Sequence, residues 1–384
     1  MARSLSVIIP TYQEADNLEL LMQRISDALA SVDFQWNVII VDDNSQDETV
    51  NICDTLTLKY PLELIVRTHE RGLASAVVDG MKSATGDIVL CMDADLSHPP
   101  EAIPEIHKKL SQDSCDFVIG SRYISGGSTD DAWGLFRWLN SVVATGLAKP
   151  LTSAKDPMAG FFALKRTDFE SAVQNLDPIG YKIGLELIVK CHCKNVDEVP
   201  IHFSDRQFGE SKLSFKEQLN YLRHLKKLYT YKWPEFTRFL RFGLVGCSGV
   251  IVNLTALSML LSTGLNTPVS IAAAIWVAMT WNFFLNRKFT FQDFVVGKLA
   301  HKYLQFCLAS LTGAVVNWSV ATYLWTSIPF FAGSPTTAGF VGIMAGMILN
   351  FTLCSRFVFR NKKSTPSTTQ AVGGASEKNT AKAA

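Results

Sequence analysis

Short apolar runs alternate with helical patterns through the first part of the chain. Leu5–Pro10 is apolar and β-prone, and a helical repeat follows from Glu14 to Ala30. Trp36–Val41 is a second apolar run, closed by Asp42-Asp43-Asn44-Ser45, with a helix predicted from near Gln46. Leu62–Arg67 reads as a third strand, Gly72–Ala84 as a helix, Gly86–Met92 as a fourth strand and Asp116–Gly120 as a fifth. Apolar runs this short fit buried strands. Their alternation with helices predicts a largely parallel, doubly wound α/β sheet. On such a sheet, Pro10-Thr11-Tyr12-Gln13-Glu14, Asp42-Asp43 and Asp93-Ala94-Asp95 all fall on one edge, where ligands bind.

The pattern then changes. Phe242–Asn286 and Tyr303–Ser355 contain no Asp, Glu, Lys or Arg. Each run holds two helices of about 20 residues, the length a bilayer requires. The predicted spans are 242–262, 267–285, 303–325 and 334–355, following a first domain of about 235 residues. Arg287, Lys288, Lys298 and Lys302 lie between the second and third spans, and Arg360, Lys362 and Lys363 follow the fourth. The other two connections carry no Lys or Arg. The positive-inside rule places the basic connection, both termini and the first domain in the cytosol. MARSLSVIIPTY is too short in apolar residues to be a signal peptide. The tail, 362–384, is rich in Ser, Thr, Ala and Gly and is expected to be disordered.

A formal charge of +1 gives no sign of a nucleic-acid partner. The eight cysteines show no paired zinc spacing, since Cys191-His192-Cys193 has no second pair. They read as reduced structural thiols. No G-x-G-x-x-G follows the first strand and no G-x-x-x-x-G-K-[ST] occurs, which disfavours dinucleotide and P-loop sites.

Asp93 and Asp95 carry the main chemical signal. Carboxylates this close repel unless a cation joins them. A hard divalent ion shared with a diphosphate would join them. A nucleotide-diphosphate site is therefore expected at the end of the fourth strand, with a solvated turn as the plain alternative.

Seven stretches then occur in order: VIIPTYQE (7–14), VIIVDDNSQDET (38–49), RGLASAVVDG (71–80), MDADLSHPP (92–100), IGSRY (119–123), DPMAGFFALKR (156–166) and FGESKL (208–213). Together they resemble family 2 glycosyltransferases of the GT-A fold, most closely the dolichyl-phosphate mannose synthases. The last third resembles the GtrA-like transmembrane domain. The resemblance implies a GT-A catalytic domain at 1–213, interfacial helices at 214–238 and an all-α four-helix membrane domain at 239–361. It also implies transfer of mannose from GDP-mannose to a polyprenyl or dolichyl monophosphate, with Mg²⁺ or Mn²⁺ and inversion at the anomeric carbon. UDP-glucose or another UDP-sugar is the alternative donor, and translocation of lipid-linked sugar the alternative role for the membrane domain. A processive polysaccharide synthase is disfavoured, because no Q-x-x-R-W motif is present.

Residue by residue, the resemblance places Pro10, Tyr12, Glu14, Ile40, Asp42, Asp93 and Ala94 around the nucleotide. Asp95 is the foremost metal ligand, with Asp93 beside it. Ser97 stands where these synthases usually have Gln and is assigned to the metal as well, offering an oxygen directly or through water, which leaves metal preference open. Arg122, Arg137 and Ser141 are assigned to the acceptor phosphate, with Arg122 also near the donor. Arg206 and Lys212 are assigned to a loop over the donor diphosphate, with Gly209 as its flexible point. Asp43 reads as an acid in a helix N-terminal turn. Asp156 reads as either a sugar contact or an Asp-Pro turn.

The stretch 214–242 is basic and aromatic, with Leu219, Leu222, Leu225 and Leu228 at helical spacing. It suits a helix at the headgroup surface, or an ordinary core helix, or both on opposite faces. The membrane half is internally repeated. RFGLVGCSGVIVN (241–253) matches QFCLASLTGAVVN (305–317), and WNFFLNRKFTF (281–291) matches LNFTLCSRFVF (349–359). Two helical hairpins packed on each other are expected.

Overall fold

The structure, a computed structural model, describes residues 3–129, 135–204, 215–292 and 298–359; the side chains of 135–139, 141 and 215 lie outside that description. The chain forms two compact units, Met1–Pro234 and Glu235–Ala384.

The first unit begins with strands β1 (Leu5–Thr11), β2 (Trp36–Asp42), β3 (Leu62–Val66), β4 (Ile88–Cys91) and β5 (Phe117–Ser121). Between them run helices α1 (Ala15–Ala28), α2 (Thr49–Thr57), α3 (Leu73–Ser83) and α4 (Ile103–Ser111). The short β6 (Ser128–Thr129) precedes helix α5 (Leu135–Ala148). Strand β7 (Phe162–Lys165), helices α6 (Arg166–Ala172) and α7 (Ile183–Lys190), strands β8 (Val196–Pro200) and β9 (His202–Phe203), and helix α8 (Phe215–Lys232) complete the unit. The main sheet has the order β3-β2-β1-β4-β7-β5-β8. All neighbours are parallel except β7, which runs antiparallel to both β4 and β5. The sequence pattern did not mark β7 or β8, because β7 is only four residues, Phe-Ala-Leu-Lys, and β8, Val-Asp-Glu-Val-Pro, is not an apolar run.

The sheet is covered on both faces, so its central strands are mostly apolar, with Ser6, Thr11 and Asp42 as buried polar members. Val7, Ile9, Val38 and Ile40 face a core closed by Leu18, Leu21, Met22 and Ile25 of α1. Those four positions form one helical stripe. Ile8, Ile39 and Val41 point the other way, against Val77 and Met81 of α3. Helix α3 lies close because Gly80 faces the sheet: a Cβ there would stand 2.5 Å from Ile8 Cγ2.

Helix α8 packs back on its own unit. Leu225 and Leu228 are buried with Ala148, Leu151, Leu185 and Val189, whereas Leu219 and Leu222 are exposed. A three-residue spacing drifts about 60° per step around a helix, so the four leucines do not share one face. Beneath α8, Glu186 accepts hydrogen bonds from Lys190 Nζ (2.6 Å) and the Asp177 N–H (2.7 Å), and lies 3.1 Å from His224 Nε2. Glu186, Lys190 and His224 are all buried.

The second unit contains α9 (Pro234–Ser262), α10 (Thr267–Leu285), α11 (Leu299–Ser327), the short α12 (Pro329–Ala332) and α13 (Pro335–Leu353). Four of its helices are long and apolar enough to cross a membrane. Two begin before the charge-free runs, α9 at Pro234 and α11 at Leu299. Helices α10 and α13 each end in a π-helical turn, Asn286–Thr290 and Cys354–Val358.

The sequence repeat reappears as a pseudo-twofold arrangement. Phe242 packs on Phe351, and its counterpart Phe306 packs on Phe283, both with ring centres 5.6 Å apart. Phe291–Phe351 and Phe359–Phe283 form a second related pair, each at 6.2 Å. Phe291 and Phe359, equivalent to each other, stack at 4.6 Å with an interplanar angle of 11°. The two hairpins differ in closeness. Gly313 and Gly346 bring the α11 and α13 backbones together, and a Cβ on Gly346 would lie 2.5 Å from Gly313 O. In the first hairpin, the Asn282 amide fills the space against Gly249, and the positions equivalent to Gly342 and Gly346 are Ala274 and Ala278.

Candidate active site

The chain builds β1, β2 and β3 in one direction across the sheet, then places β4 on the other side of β1. The crevice at the carboxyl ends of β1 and β4 is therefore the topological switch point, the ligand-binding position of open α/β sheets. Tyr12, Glu14, Asp42, Asp93 and Asp95 follow or close the parallel strands β1, β2 and β4, so the fold brings these ends to one edge. Three residues just beyond the strands adopt positive φ: Gln13 (59°), Asn44 (57°) and Leu96 (62°). For Leu96 this conformation costs on the order of 1–3 kcal/mol, and the turn is held by Asp95.

Asp95 Oδ1 accepts hydrogen bonds from the Ser97 N–H (3.1 Å) and Ser97 Oγ (2.5 Å). Both residues are buried, as is Ala94, whereas Asp93 is partly open. The Asp93 N–H donates to His98 Nδ1 at 3.0 Å. His98 is thereby fixed with Nδ1 as an acceptor. Burial pushes its pKa below the usual histidine range against the pull of Asp93 and Asp95. The imidazole is neutral at pH 7 and stacks on Phe161, ring centres 5.3 Å apart. Gly160 closes this corner: a Cβ there would sit 3.3 Å from both Asp93 Oδ2 and His98 Cε1.

Arg122 follows β5. Its Nε donates to Asp156 Oδ2 (2.8 Å), an Nη donates to Asp156 Oδ1 (2.9 Å), and its own N–H reaches Oδ2 at 3.2 Å. Asp156 is fully buried, so it positions Arg122 in a planar fork. The Asp-Pro turn is present, closed by the Ala159 N–H donating to Asp156 O at 3.3 Å, and the Asp156 carboxylate is in addition the partner of Arg122. Burial works against the Arg122 charge, but the Asp156 hydrogen bonds raise its pKa above the ordinary arginine value. The guanidinium also lies over Phe203 (5.1 Å) and Tyr123 (5.3 Å). Glu198 on β8 holds the Asp156 loop, accepting from the N–H groups of Lys155 (3.1 Å) and Asp156 (3.0 Å).

At the β2 end, Asp42 accepts from Ser45 N–H (2.8 Å) and Ser45 Oγ (2.5 Å), and Ser45 Oγ accepts from Gln13 N–H at 2.8 Å. This ties the ends of β1 and β2 together. Pro10 and Ile40 lie buried within those strands, and Glu14 bonds the Asn17 amide at 2.7 Å. Asp43 does not cap a helix turn, since α2 starts only at Thr49. It pairs with buried Arg67 (3.0 Å) and accepts from Gly72 N–H at 2.7 Å. Arg67 further contacts Asp79 (3.2 Å) and Ser75 Oγ (2.7 Å), anchoring the 71–75 turn. From that turn Arg71 lies over the Tyr12 ring at 5.2 Å.

Sequence reasoning did not single out Arg67, His98, Gly160, Lys182 or Glu198. Arg67 and His98 sit inside or beside the quoted motifs and were findable there. Lys182, whose Nζ donates to Met158 O at 3.3 Å, has no local signal. Burial and the nearby Arg122 push its pKa below the ordinary lysine range, while Asp156 and Asp93 oppose them. Arg206, Gly209 and Lys212 lie outside the described residues. Arg137 and Ser141 fall on the α5 backbone, with their side chains outside the description. All eight cysteines are free thiols.

The description Glycosyl transferase family 2 matches residues 6–172, and GtrA/DPMS, transmembrane domain, matches 241–359. The chain is 41% identical to the dolichol-phosphate mannosyltransferase of Pyrococcus furiosus over 82% of its own length and 89% of the relative's. It is 43% identical to that of Mycosarcoma maydis, over 67% of this chain and 86% of the relative. With the Saccharomyces cerevisiae protein of the same name, identity is 40% over 61% and 90%. The mostly parallel GT-A-like sheet and the four apolar helices thus agree with the comparisons, and the chain is a glycosyltransferase and integral membrane protein belonging to the dolichol-phosphate mannosyltransferase family.

Proposed function

We propose that this enzyme transfers mannose from GDP-mannose to a polyprenyl monophosphate of the dolichyl type at the cytosolic membrane face, with inversion and with a divalent cation. The observation that carries the reading is the Arg122–Asp156 fork, whose guanidinium lies over Phe203 (5.1 Å), the ring that also meets His98 (5.5 Å) behind the Asp93-Ala94-Asp95 turn. The names of the three relatives support the sugar and the acceptor class.

The acceptor phosphate is already an anion at pH 7, so it needs positioning and partial neutralisation more than a general base. The Arg122 fork supplies both, because a guanidinium held flat binds phosphate oxygens two at a time. A phosphate oxygen attacks the anomeric carbon. The bond from that carbon to the diphosphate breaks, and the nucleoside diphosphate leaves with the electron pair. In-line displacement on an α-linked donor gives a β-linked lipid phosphomannose. Tyr12 and Glu14 border the nucleotide, while Asp42 and Ser45 keep the ends of β1 and β2 together beneath it. Arg206 and Lys212 are assigned to the donor diphosphate, and Arg137 and Ser141 to the acceptor.

The donor set suits Mg²⁺ or Mn²⁺. Asp93, Asp95 and Ser97 offer hard oxygens. The cleared corner at Gly160 leaves Asp93 room, and His98 Nδ1 is already taken by the Asp93 N–H. When bound, the cation would neutralise charge on the departing diphosphate. Ser97 also fixes one Asp95 carboxylate oxygen through its N–H and hydroxyl.

The test is a donor panel on purified membranes. GDP-mannose, UDP-glucose and UDP-N-acetylglucosamine are supplied with polyprenyl phosphate, and labelled sugar is counted in the lipid phase. Mannose transfer that EDTA stops and Mg²⁺ or Mn²⁺ restores is expected. Glucose transfer in its place would overturn the donor, and transfer unaffected by EDTA would overturn the metal assignment.

A further inference from the structure

A second, basic cleft lies in the first unit, built by the C-terminal ends of α5, α7 and α8. Its volume is about 630 Å³, and its polar lining includes Lys149, Thr152, Ser153, Lys194, Tyr231 and Lys232, with His192 beside them. No carboxylate lines it. Among the described residues, neither Lys149 nor Lys194 pairs with an acidic side chain. The pairs that do form involve other lysines, such as Lys190 with Glu186 and Lys227 with Asp177. Lys232 Nζ is fixed by the carbonyls of Leu151 (2.8 Å) and Pro150 (3.2 Å), which orients its charge without neutralising it. His192, at φ 55°, stands beside the Tyr231 hydroxyl at 3.5 Å. Unpaired cations around a cleft that also offers three hydroxyls, those of Thr152, Ser153 and Tyr231, suit a phosphate with ester oxygens.

The position along the chain selects the source of that phosphate. Lys232 is followed by Trp233 and Pro234, and the charge-free run begins at Phe242. That interval is about three helical turns, so the connecting chain spans at most roughly 15 Å. Lipid headgroups occupy about 5–8 Å on each side of the hydrocarbon. Trp233, with Lys232 over its ring at 4.9 Å and Tyr229 beside it at 5.6 Å, is the residue type that settles at this depth.

We propose that this cleft binds the headgroup phosphate of an anionic membrane lipid, held chiefly by Lys149 and Lys194. The site is separate from the acceptor position at Arg122 and serves to seat the catalytic unit at the membrane surface. The test uses the full-length protein in detergent, titrated with phosphatidylglycerol, phosphatidylcholine or inorganic phosphate and read by native mass spectrometry. Phosphatidylglycerol is expected to bind, and the double substitution Lys149→Gln, Lys194→Gln to weaken that binding by about tenfold to thirtyfold. The charge-preserving Lys149→Arg, Lys194→Arg protein is expected to bind as the parent does. In detergent, sugar transfer to polyprenyl phosphate should be the same for all three. Undiminished phosphatidylglycerol binding by the Gln variant would overturn the proposal, as would equal binding of phosphatidylcholine. Inorganic phosphate binding as tightly as the lipid would overturn the membrane source. Loss of transfer in the Gln variant would mean that the cleft belongs to the reaction site.

Discussion

At the scale of single residues, the site depends on carboxylates doing different work. Asp95 sits in a strained, buried turn with one oxygen engaged by Ser97. Replacing it by Asn keeps the shape and removes the charge. Asp95→Asn is expected to reduce turnover by about 10²- to 10³-fold, the size of effect seen when one preorganised electrostatic contact is lost. The far-UV circular dichroism spectrum should stay unchanged. Asp156 is different, because it is the buried partner of Arg122. Asp156→Ala strands that guanidinium, and breaking a buried pair costs about 3–5 kcal/mol. A lower thermal midpoint together with a raised KM for the lipid phosphate is expected; a KM effect on the donor alone would move Arg122 to the nucleotide side. Asp93 and Asp95 were legible because acids rarely close a buried apolar run without a reason. The partner of Arg122 was not, because Asp156 lies thirty-four positions away and meets it only through the sheet.

Among elements, α8 shows how far periodicity carries. Its basic and aromatic composition was plain, but the leucine spacing did not tell which face docks, and Leu225 and Leu228 alone became core. Its attachment includes the Glu186–Lys190–His224 cluster. Burial disfavours the Glu186 charge, yet hydrogen bonds from His224, Lys190 and the Asp177 N–H hold its pKa down at about 2, against an ordinary 4.5. A depressed carboxylate contributes stability that is fully present above its unfolded pKa and is lost as pH falls through the folded one. Acid should therefore loosen α8 progressively from about pH 4.5 towards 2. Hydrogen exchange of the α8 amides across that window reads the effect, and Glu186→Gln should be looser at neutral pH and insensitive to this range. Protection that is equal in the two proteins at pH 6 would remove Glu186 from the attachment. The strands β1 to β5 were also legible at this scale, to within a residue or two at most ends. The antiparallel β7 was not, because three apolar residues and a lysine carry no mark of direction.

For the whole molecule, the division into two compact units implies separable stability. A protein ending at Lys232 should fold with a cooperative thermal transition; its aggregation would show that the membrane unit supports the first. Within the membrane unit, Gly346→Leu is expected to force α11 and α13 apart, since even a Cβ would lie 2.5 Å from Gly313 O. The equivalent substitution at Ala278 should cost less, because the first hairpin has no such backbone contact. Trypsin resistance of the two variants in membranes compares them directly.

The stacked pair Phe291–Phe359 lies where the two halves of the membrane unit exchange places. Each ring is therefore its own complement: a surface bearing one can mate with an identical surface bearing another. The membrane unit is in effect a dimer written on one chain. A polypeptide carrying only one of the hairpins retains the aromatic contacts by which it could associate with its twin, and joining the halves fixes their ratio at one to one. The freedom gained is that the halves need no longer be alike, and the glycines confined to the second hairpin are where they have already parted.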